Sequence, residues 1–375
     1  MSELQILFVV LVALYLIQCV AWVPQDSTAF RPTLVSGWKL EPEGFRLAAA
    51  RLRAVPGNPL PPLHGVAVCP AQFVSVSPLG VLPAGASPQA FQPFDAMRGV
   101  SAAGKHVRIA GATLLTAGSP AAAARLAAWL EKLRALAEKK RAAAIEKHLA
   151  AALDFERASE RFAAFHARTR LLQWTSTALF SFLFLFLPLI VDAVGLARVW
   201  PELVAVLLVL VALIAWDFRR AHRQLHPEEG EARWTAMLTI ILSPVAAMRA
   251  QDVLFRDLFA GFHPLAVARV LCSPEEFRRV AARMLREFTF PIPGSQLAGD
   301  DPAARCDVWF REQQSAALRK FLSESGAKPE ELLAPPARSG PQSTSYCPRC
   351  CQQYAVLPGT CPDCGGITLE PLREN

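Results

Sequence analysis

Leu171–Val194, LLQWTSTALFSFLFLFLPLIVDAV, and Val199–Trp216, VWPELVAVLLVLVALIAW, decide the architecture of this chain. At about 1.5 Å per residue each run is long enough, or nearly so, to cross a hydrocarbon core about 30 Å thick. Only Gly195–Arg198 separates them, so they are expected to form a tight transmembrane hairpin. Trp174, Trp200 and Trp216 fall near the run ends, where indole rings favour the membrane–water boundary. A third run, Leu4–Val23, is as long as a span. A cleaved signal peptide would begin with a basic segment and end in a small-residue cleavage site. This run begins Met-Ser-Glu-Leu, without Lys or Arg, and reads as an uncleaved anchor over residues 1–23.

Basic residues orient the spans. None precedes the first. Arg31, Lys39 and Arg46 follow it, Arg161, Arg168 and Arg170 precede the second, the hairpin turn carries only Arg198, and Arg219, Arg220 and Arg223 follow the third. Every comparison places the N-terminus outside and both large polar regions in the cytoplasm. The expected location is the cytoplasmic (inner) membrane of a bacterium, multi-pass, with the C-terminus inside. Trp234–Met248 is a fourth apolar stretch, but it is short for a span, contains Pro244, and a fourth crossing would move the C-terminus outside. It reads as an interfacial or buried helix. The following segment to Leu271 alternates charge and bulk, as on a membrane surface or in a protein groove.

The 375 residues are 53% hydrophobic with a net charge of +7, above the apolar share of a typical soluble chain. Much of the positive charge flanks apolar runs. It is therefore assigned to membrane topology, with the lipid bilayer as partner, and argues against nucleic acid.

Outside the spans, residues 24–118 are punctuated by Pro and Gly and read as a small β-rich cytoplasmic domain. Phe73–Ser77 and His106–Ala110 alternate like half-buried strands, and Gly111 offers a turn into a further strand, ATLLT. Residues 119–170 follow as one long basic helix, or a helical pair turning near 139–144, started by Ser119 and Pro120. Eleven Lys/Arg against six Asp/Glu give this stretch a net +5. Glu131/Arg134 and Glu138/Arg141 are spaced to pair on a solvated surface. The hairpin occupies 171–216. Residues 217–330 form a helical, partly interfacial region, in which Ser273-Pro-Glu-Glu276 caps one helix and Pro302 opens another. A Pro/Ser/Gly-rich linker spans 331–344.

The tail, 345–375, carries the sharpest chemistry. Cys347-Pro-Arg-Cys350 and Cys361-Pro-Asp-Cys364 are two C-x-x-C pairs. Each pair offers two thiolates from one tight bend, and two such bends can enclose a metal tetrahedrally. The other cysteines lack the spacing of a secreted disulfide framework. Cys351 can replace Cys350 only in a distorted site. His263 with Asp252 and Asp257 is the one constellation that suggests acid–base work, and phosphate-loop, dinucleotide and hydrolase motifs are absent from the sequence.

Two resemblances follow. The Cys-Pro-Asp-Cys-Gly pattern and its partner pair, over about 345–372, resemble a zinc ribbon. That resemblance implies Cys347, Cys350, Cys361 and Cys364 as ligands of Zn2+ in a closed structural site. Rubredoxin-type iron also uses two such pairs, but set farther apart. Strands followed by a capped helix loosely resemble a pleckstrin-homology-like domain, which would imply a lipid- or protein-facing module. The expected whole is a mainly α membrane protein with three transmembrane helices, a β-rich domain, a long cytoplasmic helix and a C-terminal zinc ribbon. Its expected role is interaction or scaffolding, with protein partners met through the ribbon and the β-rich domain. An enzyme with its site in 217–330, or a membrane-tethered nucleic-acid binder, is the alternative.

Overall fold

The computed structural model describes residues 2–18, 20–23, 27–30, 46–47, 53–56, 67–70, 74–83, 87–117, 120–227, 230–256, 258–292 and 300–372. The chain is mostly helical and divides into two compact units, residues 1–69 with 155–261 and residues 70–154 with 262–375.

The first unit is built on two helices that pack on one another, Phe155–Val194 and Leu196–Leu225. Both are long and apolar enough to cross a membrane. Gly195, with φ +88°, makes the turn between them in a conformation that L side chains avoid. Pro188 lies inside the first of these helices and cannot donate to a carbonyl one turn back. The helix widens to π geometry over Phe182–Phe186, ending two positions before the proline. Only about a quarter of each apolar window is buried, unlike the core helix of a soluble protein. Leu185, Phe186 and Leu189 on one helix, and Leu208, Val209 and Leu213 on the other, face outward. An apolar surface of this extent calls for a non-aqueous neighbour.

The first apolar run departs from its expected form. Its helix covers Glu3–Gln18, about 24 Å long, and Val20–Val23 is a strand paired with Arg53–Pro56. A three-transmembrane architecture is therefore not established by helix length. Trp234–Met248 breaks at Ser243. Gly230–Leu242 is one helix, and Ser243 caps a second, Pro244–Met248, through its side-chain oxygen. The short helix is buried, as are Leu254, Phe255, Leu258 and Phe259 after it. The protein interior, not a membrane surface, takes up this amphipathic segment.

The β-rich block does not form one sheet among the described residues. Strands between 20 and 70 belong to the first unit. Those between 74 and 116 belong to the second, as two three-stranded antiparallel sheets. The expected strands are present at Val74–Val76 and His106–Ile109, and the latter pairs with Ala112–Thr116 across Gly111. Their buried residues Val76, Val107 and Ile109 meet Leu130, Leu133 and Ile145 in the core of the second unit. The helix Pro302–Glu324 joins that unit through Asp307, which accepts from the Ser75 hydroxyl at 2.9 Å.

The stretch 119–170, expected as one long helix or as a helical pair turning near 139–144, is cut twice, first at 136–137, close to the turn expected of the pair. Pro120–Ala135 and Glu138–Ala152 belong to the second unit, and Phe155 starts the membrane-length helix of the first. Ser119, the expected cap, lies outside the described residues. The first break has a physical cause in Arg141. Its buried guanidinium donates to the carbonyls of Leu133 (3.2 Å) and Leu136 (3.0 Å), which a continuing helix would have used itself. The expected Glu131–Arg134 pair is present, whereas Arg141 pairs with Asp95 at 3.1 Å instead of Glu138.

Candidate metal centre

The tail folds around its cysteines. Ser345–Tyr346 lies between Gln353–Tyr354 and Glu370–Pro371 in a three-stranded sheet, and Thr360–Cys361 pairs with Ile367–Thr368. The first knuckle closes when the Cys351 N–H donates to Cys347 O at 2.8 Å and the Cys347 N–H to Gln352 O at 2.9 Å. In the second, the Gly366 N–H donates to Cys361 O at 2.9 Å. The residue after each pair takes the left-handed conformation, Cys351 with φ +62° and Gly365 with φ +64°. Cys351 therefore occupies the structural place of Gly365. The sulfur cluster consists of Cys347, Cys350, Cys361 and Cys364, without Cys351.

Those four sulfurs lie within 4.8 Å of one another, and Cys350 Sγ is 3.8 Å from Cys361 Sγ. A tetrahedron with metal–sulfur bonds of about 2.3 Å has edges of about 3.8 Å. The donor set and its spacing fit a metal ion of the kind four cysteines typically hold, zinc. Cys347, Cys361 and Cys364 are buried, with Cys350 at the rim. The electrostatics favour a cation. Burial, with neighbouring sulfur, pushes the Cys350 thiol up to about 11 and raises that of Cys364 further. Burial also opposes ionisation of Cys361. There, hydrogen bonds from the Tyr354 hydroxyl (3.1 Å) and other donors outweigh it and hold the thiol below its ordinary value. One thiolate is thus supported by the protein, and Cys350 and Cys364 need a positive charge beside them to ionise with it. With four sulfurs converging, no coordination position is left for substrate or water.

The tail is seated on the rest of its unit. Arg349, inside the first knuckle, donates to Glu287 O (3.2 Å) and Phe290 O (2.8 Å) at the C-terminal end of the Pro274–Thr289 helix. Arg286, on that helix and buried, donates to Pro348 O (2.9 Å) and Leu332 O (3.1 Å). Phe290 packs against the cysteines, Ile367 and Leu369. The linker is also tied down, because the Gln353 side chain bonds Ala337 O at 2.7 Å and the Ser339 N–H at 2.9 Å. Sequence reasoning missed Arg286, Arg349 and Phe290, and nothing in their local pattern distinguishes them from surface residues.

The matching knuckles support a paired prediction. A Cβ on Gly365 would lie 2.7 Å from Ile292 Cγ2 at a backbone angle unsuited to it. Gly365→Ala should cost about 1–2 kcal/mol and speed metal transfer to a competing chelator roughly tenfold. Cys351→Gly removes a side chain from the same unfavourable backbone region. It should leave metal stoichiometry unchanged and slow that transfer. Loss of metal from the Cys351→Gly protein would make Cys351 a ligand.

The acid–base constellation is not assembled. Asp252 belongs to the first unit, where Arg249 pairs with it at 2.5 Å. Asp257 lies outside the described residues. His263 belongs to the second unit and caps the Pro264–Leu271 helix. Its ring Nδ1 accepts the Leu265 N–H at 3.2 Å, the His263 backbone N–H donates to Ala152 O at 2.7 Å, and burial pushes the ring down to about 4. It is neutral and structurally engaged at neutral pH. Compared with protein-family models, curated proteins and solved structures, the chain matches none, so neither the zinc-ribbon nor the pleckstrin-homology-like resemblance extends to membership of a family.

Proposed function

We propose that this is a bacterial inner-membrane protein that organises other proteins on the cytoplasmic side, with a structural Zn2+ held by Cys347, Cys350, Cys361 and Cys364. The observation that carries this reading is the closed four-sulfur cluster, which offers a metal no reactive position but fixes a small surface. Val356 and Leu357 stand exposed on the loop between the two knuckles, an apolar contact that a protein partner would cover. The outward-facing apolar residues of the two long helices support membrane embedding. Ile6, Phe8, Val9 and Val10, exposed on the Glu3–Gln18 helix, favour a third segment entering the bilayer, with the N-terminus outside. Iron would fit four sulfurs as well, so elemental analysis of the purified protein decides the metal.

The test is affinity purification from membranes with three chains: wild type, Val356→Ser/Leu357→Ser and Cys361→Ser. A partner recovered with wild type and lost with both variants is the expected result. An identical set recovered with all three removes the tail from any interaction role. Labelling of Cys364 in intact cells by an impermeant maleimide would reverse the proposed orientation.

A further inference from the structure

At the end of the second long helix, Arg219 and Arg223 stand one turn apart, on the same face of Leu196–Leu225. The neighbouring helix Gly230–Leu242 packs against this one and contributes Arg233, Trp234 and Met237. These five residues line a cleft of about 90 Å³. The Arg219 guanidinium lies over the Trp234 ring, 5.6 Å from its centroid, which fixes one wall. Among the described residues, no carboxylate is within ion-pair distance of Arg219, Arg223 or Arg233. Three arginine side chains lining one small volume is a chemistry suited to phosphate, since the planar guanidinium fork matches its oxygens in pairs.

The surroundings say which phosphate. Trp216, the last exposed apolar residue on its helix, precedes Arg219 by one turn, about 4.5 Å. On the neighbouring helix Trp234, Leu238, Ile241 and Leu242 are all exposed and fall on one apolar stripe leading away from the cleft. Basic groups thus sit where an apolar surface ends. A ligand that satisfies both has an anionic head and a hydrocarbon tail. We infer that Arg219, Arg223 and Arg233 bind the phosphate of an anionic phospholipid, its acyl chain lying along the Trp234–Leu242 stripe. This rests on the membrane reading given above.

The test uses the purified full-length protein in neutral detergent, titrated separately with phosphatidylglycerol, phosphatidylcholine and inorganic phosphate. Phosphatidylglycerol should bind clearly more tightly than the other two. With about 1 kcal/mol per basic residue near such a head group, R219Q, R223Q and R233Q should each weaken binding about fivefold, and the triple variant about a hundredfold. The triple lysine variant keeps the charge but not the fork, and should fall between wild type and triple glutamine. Equal binding of phosphatidylcholine, or wild-type affinity in the triple glutamine variant, overturns the proposal. Inorganic phosphate binding as tightly as the lipid assigns the cleft to a soluble anion and overturns it too. Should the glutamine triple fail to fold, the wild-type lipid comparison and the lysine triple still decide. Resistance of the wild-type chain to alkaline carbonate extraction is measured in parallel. A chain that washes off membranes sinks the membrane reading itself, whereas a resistant chain that does not discriminate between lipids sinks only this site.

Discussion

Chelation of the purified full-length protein at neutral pH should release one equivalent of metal and abolish amide exchange protection across about 345–372, while the helices over 171–216 should keep theirs. The reason lies in how little else holds the tail. Its strands are two residues long, and its apolar cluster is Cys347, Cys361 and Cys364 with Ile367 and Leu369, against Phe290 and Tyr354. A module this small cannot order itself by burial alone. Coordination of four thiolates supplies roughly 10–16 kcal/mol in comparable modules, more than enough to decide the folded state. Without the cation, the sulfurs also lose their reason to converge, because burial resists ionisation of Cys350 and Cys364. The loss should spread locally to the linker, whose Ala337 and Ser339 are tied to Gln353. A tail that keeps its protection after metal removal would mean that the seat on Arg286, Arg349 and Phe290 suffices by itself.

How far the sequence announces this structure varies with the range of the interactions. The two long apolar helices were legible because each apolar run is continuous in the sequence, and Gly195 marks the turn between them. The capping box at Ser273 and Glu276 was legible because both partners lie within one helical turn, and the structure forms it. The four cysteines were legible by spacing, yet the role of Cys351 was not. Its neighbours suggest a spare ligand, and only the φ of +62° shows it standing where the second knuckle has glycine. The first helix was misjudged because hydropathy continues to Val23 while the backbone leaves the helix after Gln18 to pair with Arg53–Pro56. Pairing across some thirty residues leaves no local trace. The division of the β-rich block between two units was hidden for the same reason.

Arg141→Ala should loosen the second unit by about 3–5 kcal/mol, in the range expected when a buried, hydrogen-bonded charge is removed and its partners are left behind. Read from the sequence, Arg141 is a surface residue one turn from Glu138. In the structure its guanidinium is buried and donates to Leu133 O, Leu136 O and Pro78 O (2.9 Å), with the Phe94 ring 4.8 Å beneath it. Two of those carbonyls end or follow the Pro120–Ala135 helix, where the dipole is negative and the regular helical donors run out, with Leu133 O also accepting the Leu136 N–H at 3.1 Å. The third belongs to the Val74–Pro83 hairpin, so one side chain joins helix, break and sheet. The Asp95 ion pair contributes far less. Its carboxylate side chain is 84% exposed, and a solvated pair contributes at most about 1 kcal/mol. The two effects separate cleanly. Asp95→Ala should change amide exchange protection in 120–152 by less than about fivefold. Arg141→Ala should lower it by more than about a hundredfold. Arg141→Lys keeps the charge but cannot reach Leu133, Leu136 and Pro78 together, so it should recover little. If Asp95→Ala proved as damaging as Arg141→Ala, charge pairing and not carbonyl capping would hold the break at Leu136–Ala137.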